Sequence, residues 1–361
     1  PRAKGRLAAR FLVVIIRGFR QLLRAKARCA RIRAQGSNLM YRPTQPLRLR
    51  RALAALVGGL ISLCLVSDAQ AADARSRVLL NGVATPVVFN DGDSFRVLGG
   101  PLTGAKARLS GFNTLESHGP VHQWGTWTAR EMYILAKLAT HNARDNVWEC
   151  SSDGKTDGYG RMLVFCPGLA KEQIRLGLAH AMSIDDKPAD AELLAAQREA
   201  IAAKRGIWAH GVPDYILTSL HSSEEDVEGD GVYNRLVSSK DGHSIKWKHD
   251  VKYDECQNVC HVVYPVDEAR VTAVADRLRR EQAALVTGLD DAALKTVVRG
   301  FAVHRHVTTP ATEAQQGPLA ALLLAWAASG EFGAGQPRNE SCMIHVDFKR
   351  RYGGARAVCL R

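Results

Sequence analysis

Short apolar runs punctuated by glycine open the interpretable part of the chain. Val78-Leu79-Leu80, Val83 and Val87-Val88-Phe89 predict strands, Asn90-Asp91-Gly92 breaks them, and Ser94-Phe95-Arg96-Val97-Leu98 resumes the pattern. Gly99-Gly100-Pro101 ends that strand and Ala105–Phe112 supplies the next. Meandering strands with short turns predict a small barrel rather than a parallel sheet. The period then lengthens: Trp127, Met132, Leu135 and Leu138 predict a helix along Gln123–Thr140. Strand-like runs at 146–150 and 161–166 predict a hairpin, with helices at Ala170–Ala179 and Pro188–Lys204, the last with Pro188 near its first turn and Gly206 past its end.

After Pro213 the composition shifts. The acidic, glycine-containing run from Ser222 to Gly231 reads as a linker, assigned to 212–231. Beyond it lie a cysteine-bearing strand region (Ser244–Val266), amphipathic helices at Glu268–Leu289, Asp291–Val298 and Thr312–Ala328, and a hairpin-like stretch from Cys342 to Cys359 turning at Gly353-Gly354. The expected fold is α+β: a barrel domain over 76–211, then a separate mixed α/β domain over 232–361 whose motifs name no chemistry.

Charge changes the picture less than its total implies. The net charge is +13, but residues 1–71 hold 15 of the 49 Lys/Arg and one of the 36 Asp/Glu. The remainder carries 34 bases against 35 acids, so no global positive field steers a polyanion and any nucleic-acid contact rests on particular arginines. Within the leader, Arg48, Arg50 and Arg51, the apolar run Ala52–Val66 and Ala69-Gln70-Ala71 read as a secretory signal over 40–71. The run is shorter than the roughly 20 residues a membrane span needs. The expected mature chain starts at Ala72, is periplasmic or secreted, keeps no stable membrane anchor and is a monomer. It retains six cysteines, an even number that in an exported chain predicts three disulfides. Cys150 and Cys166 each end a strand-like run and form a plausible pair; Cys256, Cys260, Cys342 and Cys359 allow three pairings. A rival reading seeds a zinc site on Cys256-x3-Cys260-His261.

The candidate chemistry lies between Asp91 and Arg161. Asp93, Asn113 and the Thr114 carbonyl offer oxygen ligands of the kind calcium accepts. Arg108 and Arg161 offer planar forks matched to a phosphate and to the charge of a pentacoordinate transition state. Glu116, three residues past Asn113, is suited to orient or deprotonate a water. Each piece alone is ordinary, since Asp-Gly-Asp and Asp157-Gly158 are common turns and Arg108 with Glu116 could be a surface ion pair. Their conjunction in order is the inventory of a metal-dependent phosphodiesterase.

Residues from about 76 to 211 resemble the staphylococcal-nuclease-like (thermonuclease) family. The resemblance rests on Asp91-Gly92-Asp93-Ser94, on Arg108 to Glu116, on Asp157-Gly158-Tyr159-Gly160-Arg161, and on Gly177-Leu178-Ala179 and Gly206-Ile207-Trp208. It implies a five-stranded OB-type barrel with three helices, and an endonuclease acting on single-stranded DNA or RNA that leaves 3′-phosphates. It further implies calcium on Asp93, Asn113 and Thr114, catalysis by Arg108, Glu116 and Arg161, and a nucleotide site lined by Tyr159. Several positions depart from the family pattern. Asn113 stands for a second Asp and removes one negative charge from the metal site, Phe112 replaces a β-branched residue, and Leu115 replaces a Pro in the turn presenting Glu116. Gly158 replaces a basic residue found in some members, and His180 to Lys187 contains no tyrosine to stack a base. The readings from other classes are a non-catalytic barrel that binds nucleic acid or another polyanion, and a chain whose C-terminal region is the functional part.

Overall fold

The computed structural model describes residues 76–226, 232–347 and 357–360. The expected signal at 40–71, the turn at Gly353-Gly354 and the end of the acidic run lie outside the described residues. Six strands form one curled sheet: β1 (Ser76–Leu80), β2 (Val83–Phe89), β3 (Ser94–Val97), β4 (Lys106–Leu109), β7 (Trp148–Cys150) and β8 (Met162–Val164). Their order is β7-β1-β2-β3-β4-β8. The antiparallel meander β1–β4 is flanked by two parallel pairings, β1 with β7 and β4 with β8. The two edge strands run on to meet at one bridge, Ser151 with Phe165, and are stapled there by the Cys150–Cys166 disulfide. The result is a curled half-barrel of six strands beside a separate pair, β5 (Phe112–Thr114) with β9 (Ala179–Ala181).

Alternation decides what this sheet buries. Val78 and Leu80, Val87 and Phe89, Phe95 and Val97, and Ala107 and Leu109 face inward, where they meet Phe112, Leu169 and Ile174. Helices α1 (Ala129–Asp145), α2 (Pro167–Arg175) and α3 (Ala191–Ala202) complete this part, matching the three expected helices. Helix α1 begins six residues later than its period predicts. Thr128 and Glu131 form a reciprocal capping box there, and Met132, Ala136, Ala139 and Ala143 make its buried stripe. The preceding residues are drafted into strand β6 (Val121–Trp124), which pairs with β14 (Arg338–Ile344) near the other end of the chain. Two family-like signatures meet backbone to backbone: the Ile207 N–H donates to the Gly177 carbonyl at 2.8 Å. Both glycines have positive φ, and a Cβ on Gly206 would lie 2.0 Å from the Gly177 oxygen, so no larger residue fits the contact.

The stretch expected as a linker is structured in its first half. Strand β10 (Tyr215–Ser219) buries Ile216 and Leu217 completely and pairs with β11 (Val232–Ser238), which pairs with β12 (Ser244–His249). Ile216 packs with Trp124, Met132, Ile207 and Trp208, a core shared between the barrel region and the first strand beyond it. Strand β13 (Asn258–Val263) joins β14 and β6 in a third sheet. Helices α4 (Glu268–Glu281), α5 (Asp291–His304) and α6 (Glu313–Ala328) enclose a further cluster around Phe301, Leu278 and Leu323. The described residues thus form a mixed α+β unit with six helices, and residues 75–361 cluster together.

All six cysteines outside the leader are paired: Cys150–Cys166, Cys256–Cys359 and Cys260–Cys342. The zinc site seeded on Cys256 and Cys260 is therefore excluded, because both sulfurs are spent in disulfides. Three disulfides accord with an oxidising environment. No helix among the described residues is long and apolar enough to cross a membrane.

Candidate functional site

The β2–β3 turn is built by Asp91, whose Oδ1 accepts from the Asp93 N–H at 3.2 Å and the Ser94 hydroxyl at 2.7 Å. Gly92 is required by contact. A Cβ there would lie 2.6 Å from Thr114 Cγ2 and 2.8 Å from Ala139 Cβ, so the turn sits directly against β5 and α1. Asp93 is thereby carried inward and is 2% exposed. Its Oδ1 accepts from Arg108 Nη1 at 2.6 Å and its Oδ2 from the Thr114 N–H at 2.7 Å. Burial pushes the Asp93 carboxyl up to about 6, Arg108 opposes that rise, Asp91 adds to it and the Thr114 N–H draws it back.

Arg108 reaches this turn because β3 pairs with β4 in a register that sets Ser94 opposite it. Its Nη2 donates to Asn113 Oδ1, and Asn113 Nδ2 donates to the Thr114 carbonyl at 2.8 Å. The four residues close a hydrogen-bonded ring. Burial disfavours charge on the Arg108 guanidinium. The carboxylates of Asp93, Asp91, Glu116 and Asp157 nevertheless raise its pKa above the usual arginine value, so Arg108 sits in the common field of all four. Glu116 is half-buried two residues past β5.

Arg161 arrives from a separate loop. Asp157 Oδ1 accepts from the N–H groups of Tyr159 and Arg161, at 2.9 and 3.0 Å, and its Oδ2 accepts from Arg161 Nε and Nη2 at 2.8 and 2.7 Å. Burial alone would raise Asp157; the bonds from Arg161 outweigh it and lower the carboxyl. The parallel register pairs Ala107 with Met162 and Arg108 with Leu163. Ala107 and Met162 are buried, and Arg161 directly precedes Met162, which puts its Cα roughly 8 Å from that of Arg108 by strand spacing and rise. Tyr159 is 68% exposed, with the Arg161 guanidinium carbon 5.4 Å from its ring centroid.

Of the residues expected at the site, Asp93, Arg108, Asn113 and Thr114 touch, the Glu116 charge acts on Arg108, and Tyr159 and Arg161 stand on the loop before β8, the strand that pairs with β4. The sequence reading missed contributions from later in the chain. Tyr233, on β11, hydrogen-bonds Tyr159, and its own ring has Lys246 Nζ at 5.0 Å and Arg235 Cζ at 5.6 Å from the centroid. These residues extend the row from Arg161 and Tyr159 with alternating aromatic and cationic groups, a pattern suited to a single-stranded polyanion. No local signal marks them, because a hairpin register brings them there. His180 was missed as well. It pairs with Asn113 across β5–β9, and its buried Nε2 has no hydrogen-bond partner among the described residues.

The oxygens of Asp93, Asn113 and Thr114 are of the hard kind calcium takes, and all three belong to the hydrogen-bonded ring with Arg108. Each already accepts a bond from within the chain, two of them from Arg108. The set holds one carboxylate, Asp93, and that carboxylate is paired with the Arg108 guanidinium.

Residues 106–210 match the family model described as Staphylococcal nuclease homologue. The match spans Arg108 to Glu116, Asp157 to Arg161 and both glycine signatures, and it begins after Asp93. None of the curated proteins compared with the chain matches it.

Proposed function

With residues 106–210 a staphylococcal-nuclease homologue domain, we propose that the chain is an exported, calcium-dependent nuclease hydrolysing phosphodiester bonds of single-stranded DNA, RNA or both. The curled sheet serves as an OB-type platform, and the mature chain acts as a monomer. One observation supports the reading: the Asp93–Arg108–Asn113–Thr114 ring takes its arginine from β4, which pairs in parallel with β8, the strand that Arg161 directly precedes.

Asp93, Asn113 and the Thr114 carbonyl would hold calcium, whose chemistry there is to polarise a phosphate oxygen and a water. Arg108 and Arg161 bind the ester phosphate from two sides. Arg161 spends two of its donors on Asp157 and keeps the rest of its fork for the substrate. Glu116 accepts the proton of the attacking water as the new P–O bond forms and the bond to the leaving 5′ oxygen breaks. Asp93 and Asn113, which would hold calcium, also orient the Arg108 guanidinium at this turn. The test is hydrolysis of single-stranded DNA by protein starting at Ala72. Calcium should support it and chelator abolish it, and Asn113→Asp should half-saturate at roughly tenfold lower calcium, about 1.4 kcal/mol. Hydrolysis unchanged by chelator would overturn the calcium assignment.

A second reading, a module that binds polyanions without cutting them, draws on Arg108 occupying the oxygens meant for the metal. DNA binding without hydrolysis in millimolar calcium would favour it. Under either reading the Tyr233 row is a binding surface. Tyr233→Ala should weaken single-stranded DNA binding by about tenfold, within the 1–3 kcal/mol of a stacked base. Under the first reading it raises KM and leaves kcat unchanged; steady-state kinetics on a short oligonucleotide checks this.

A further inference from the structure

Away from the phosphate site, the C-terminal region gathers imidazoles and a carboxylate that the nuclease reading does not use. In the β13–β14 ladder His261 pairs with Ser341 and Val262 with Asn339, so Glu340 is the extra residue of a bulge. A bulge re-aims a side chain, and here the Glu340 Oε2 lies 3.6 Å from His261 Nε2. From the other side, α5 ends on His304, and Arg305 takes a left-handed conformation (φ 57°) that stops the helix there. His304 Nδ1 lies 3.1 Å from the same His261 Nε2. The ligand atoms of all three residues fall within 4.8 Å of one another.

We propose that His261, His304 and Glu340 form a binding site for one zinc ion. Zinc bonds nitrogen and carboxylate oxygen at about 2.0–2.2 Å with tetrahedral geometry, which sets neighbouring ligand atoms roughly 3.4 Å apart. The 3.1 and 3.6 Å distances bracket that edge, and the remaining pair, His304 with Glu340, lies within 4.8 Å, so closing that edge is the main movement an ion requires. Two imidazoles and one carboxylate leave a fourth position for water, the pattern of an open rather than a purely structural zinc site.

The surroundings fix these ligands. The Cys260–Cys342 disulfide joins the same two strands beside His261 and Ser341, locking the register that produces the bulge and removing thiolates from competition. Glu340 is oriented by the main chain, its Oε1 accepting from the Asp214 N–H and its Oε2 from the Tyr215 N–H at 3.4 Å. The His306 ring stacks on His261 with centroids 5.8 Å apart, and the Tyr215 ring packs edge-on to His304 at 4.8 Å. A bond between the two imidazoles uses one proton and one lone pair, whereas zinc uses a lone pair from each and neutralises the buried carboxylate.

The test uses the full exported chain without a polyhistidine tag, stripped with chelator and dialysed against zinc. Atomic absorption should find one zinc per chain. A competing dye should report affinity that falls by about 100-fold or more in His304→Gln and Glu340→Gln, as removal of a ligand requires. Glu116→Gln should keep its zinc, which separates this site from the phosphate site. Cobalt added to the stripped wild-type protein should give the visible absorption of a four-coordinate nitrogen and oxygen site, a readout independent of how the variants fold. Wild-type protein that binds neither zinc nor cobalt overturns the proposal. So does zinc that His304→Gln retains in full.

Discussion

Arg161→Ala should lower kcat for single-stranded DNA by about 10²–10³-fold, the loss that accompanies removal of one preorganised donor to transition-state charge. The fold should survive the change. Arg161 is about one-third exposed at its side chain, and the loop that carries it is shaped by main-chain bonds to Asp157 that alanine preserves. Thermal unfolding within about 2 °C of wild type, alongside the kinetic loss, separates a chemical effect from a structural one. Arg161→Lys should recover only part of the rate, because a point charge does not reproduce a fork that grips Asp157 with one edge and phosphate with the other. Glu116→Gln should likewise cost turnover with little change in KM. Equal activity in Arg161→Ala and wild type would remove the arginine from the mechanism.

The second large effect concerns where the chain can be cut. A fragment covering 72–211 holds every residue of the family match, yet it should lack a cooperative unfolding transition. The cut removes β14, which pairs with β6 at four positions, and leaves β6 as a bare edge. It also removes Ile216 from its contact with Trp124, Met132 and Trp208, a loss on the scale of a large aliphatic truncation, about 2–5 kcal/mol. The buried Gln197 amide, which donates to the Ser239 carbonyl at 2.7 Å, is left unpaired at about 1–3 kcal/mol. The segment after β9 loses the main-chain bonds from Ser183 to Gly242 and from Ala189 to Asp241. These losses together rival the roughly 5–15 kcal/mol of an ordinary folded domain. A 72–211 fragment melting within about 5 °C of the full chain would refute the claim.

What the sequence made legible was the part that local pattern and ordered motifs encode. The strands around Asp91 and Arg108 follow from apolar runs and glycine punctuation, and Cys150 and Cys166 could be paired because each ends a neighbouring strand-like run. The candidate residues could be picked out because a turn, a strand end and a loop follow one another in the order of the family that the chain resembles. What escaped was set by partners distant in sequence. Gln123 and Trp124 fall inside the expected helix and become part of strand β6 because β14 pairs with it. Tyr215-Ile216-Leu217-Thr218 has the composition of a strand, but the shift after Pro213 and the acidic run beyond it pointed to a linker. Tyr233 and Lys246 gain their place beside Tyr159 from a hairpin register that no short motif marks.

The pairing of β6 with β14 also orders events in time. Trp124 leaves the ribosome more than two hundred residues before Ser341, its eventual neighbour in the sheet, and contacts between such distant segments form late because the intervening loop must close first. A nascent chain therefore carries the residues of the candidate site for most of synthesis before β6 meets β14. On the proposed reading of an exported nuclease, such postponement keeps the polypeptide threadable during transit and delays its competence until the last strand is delivered.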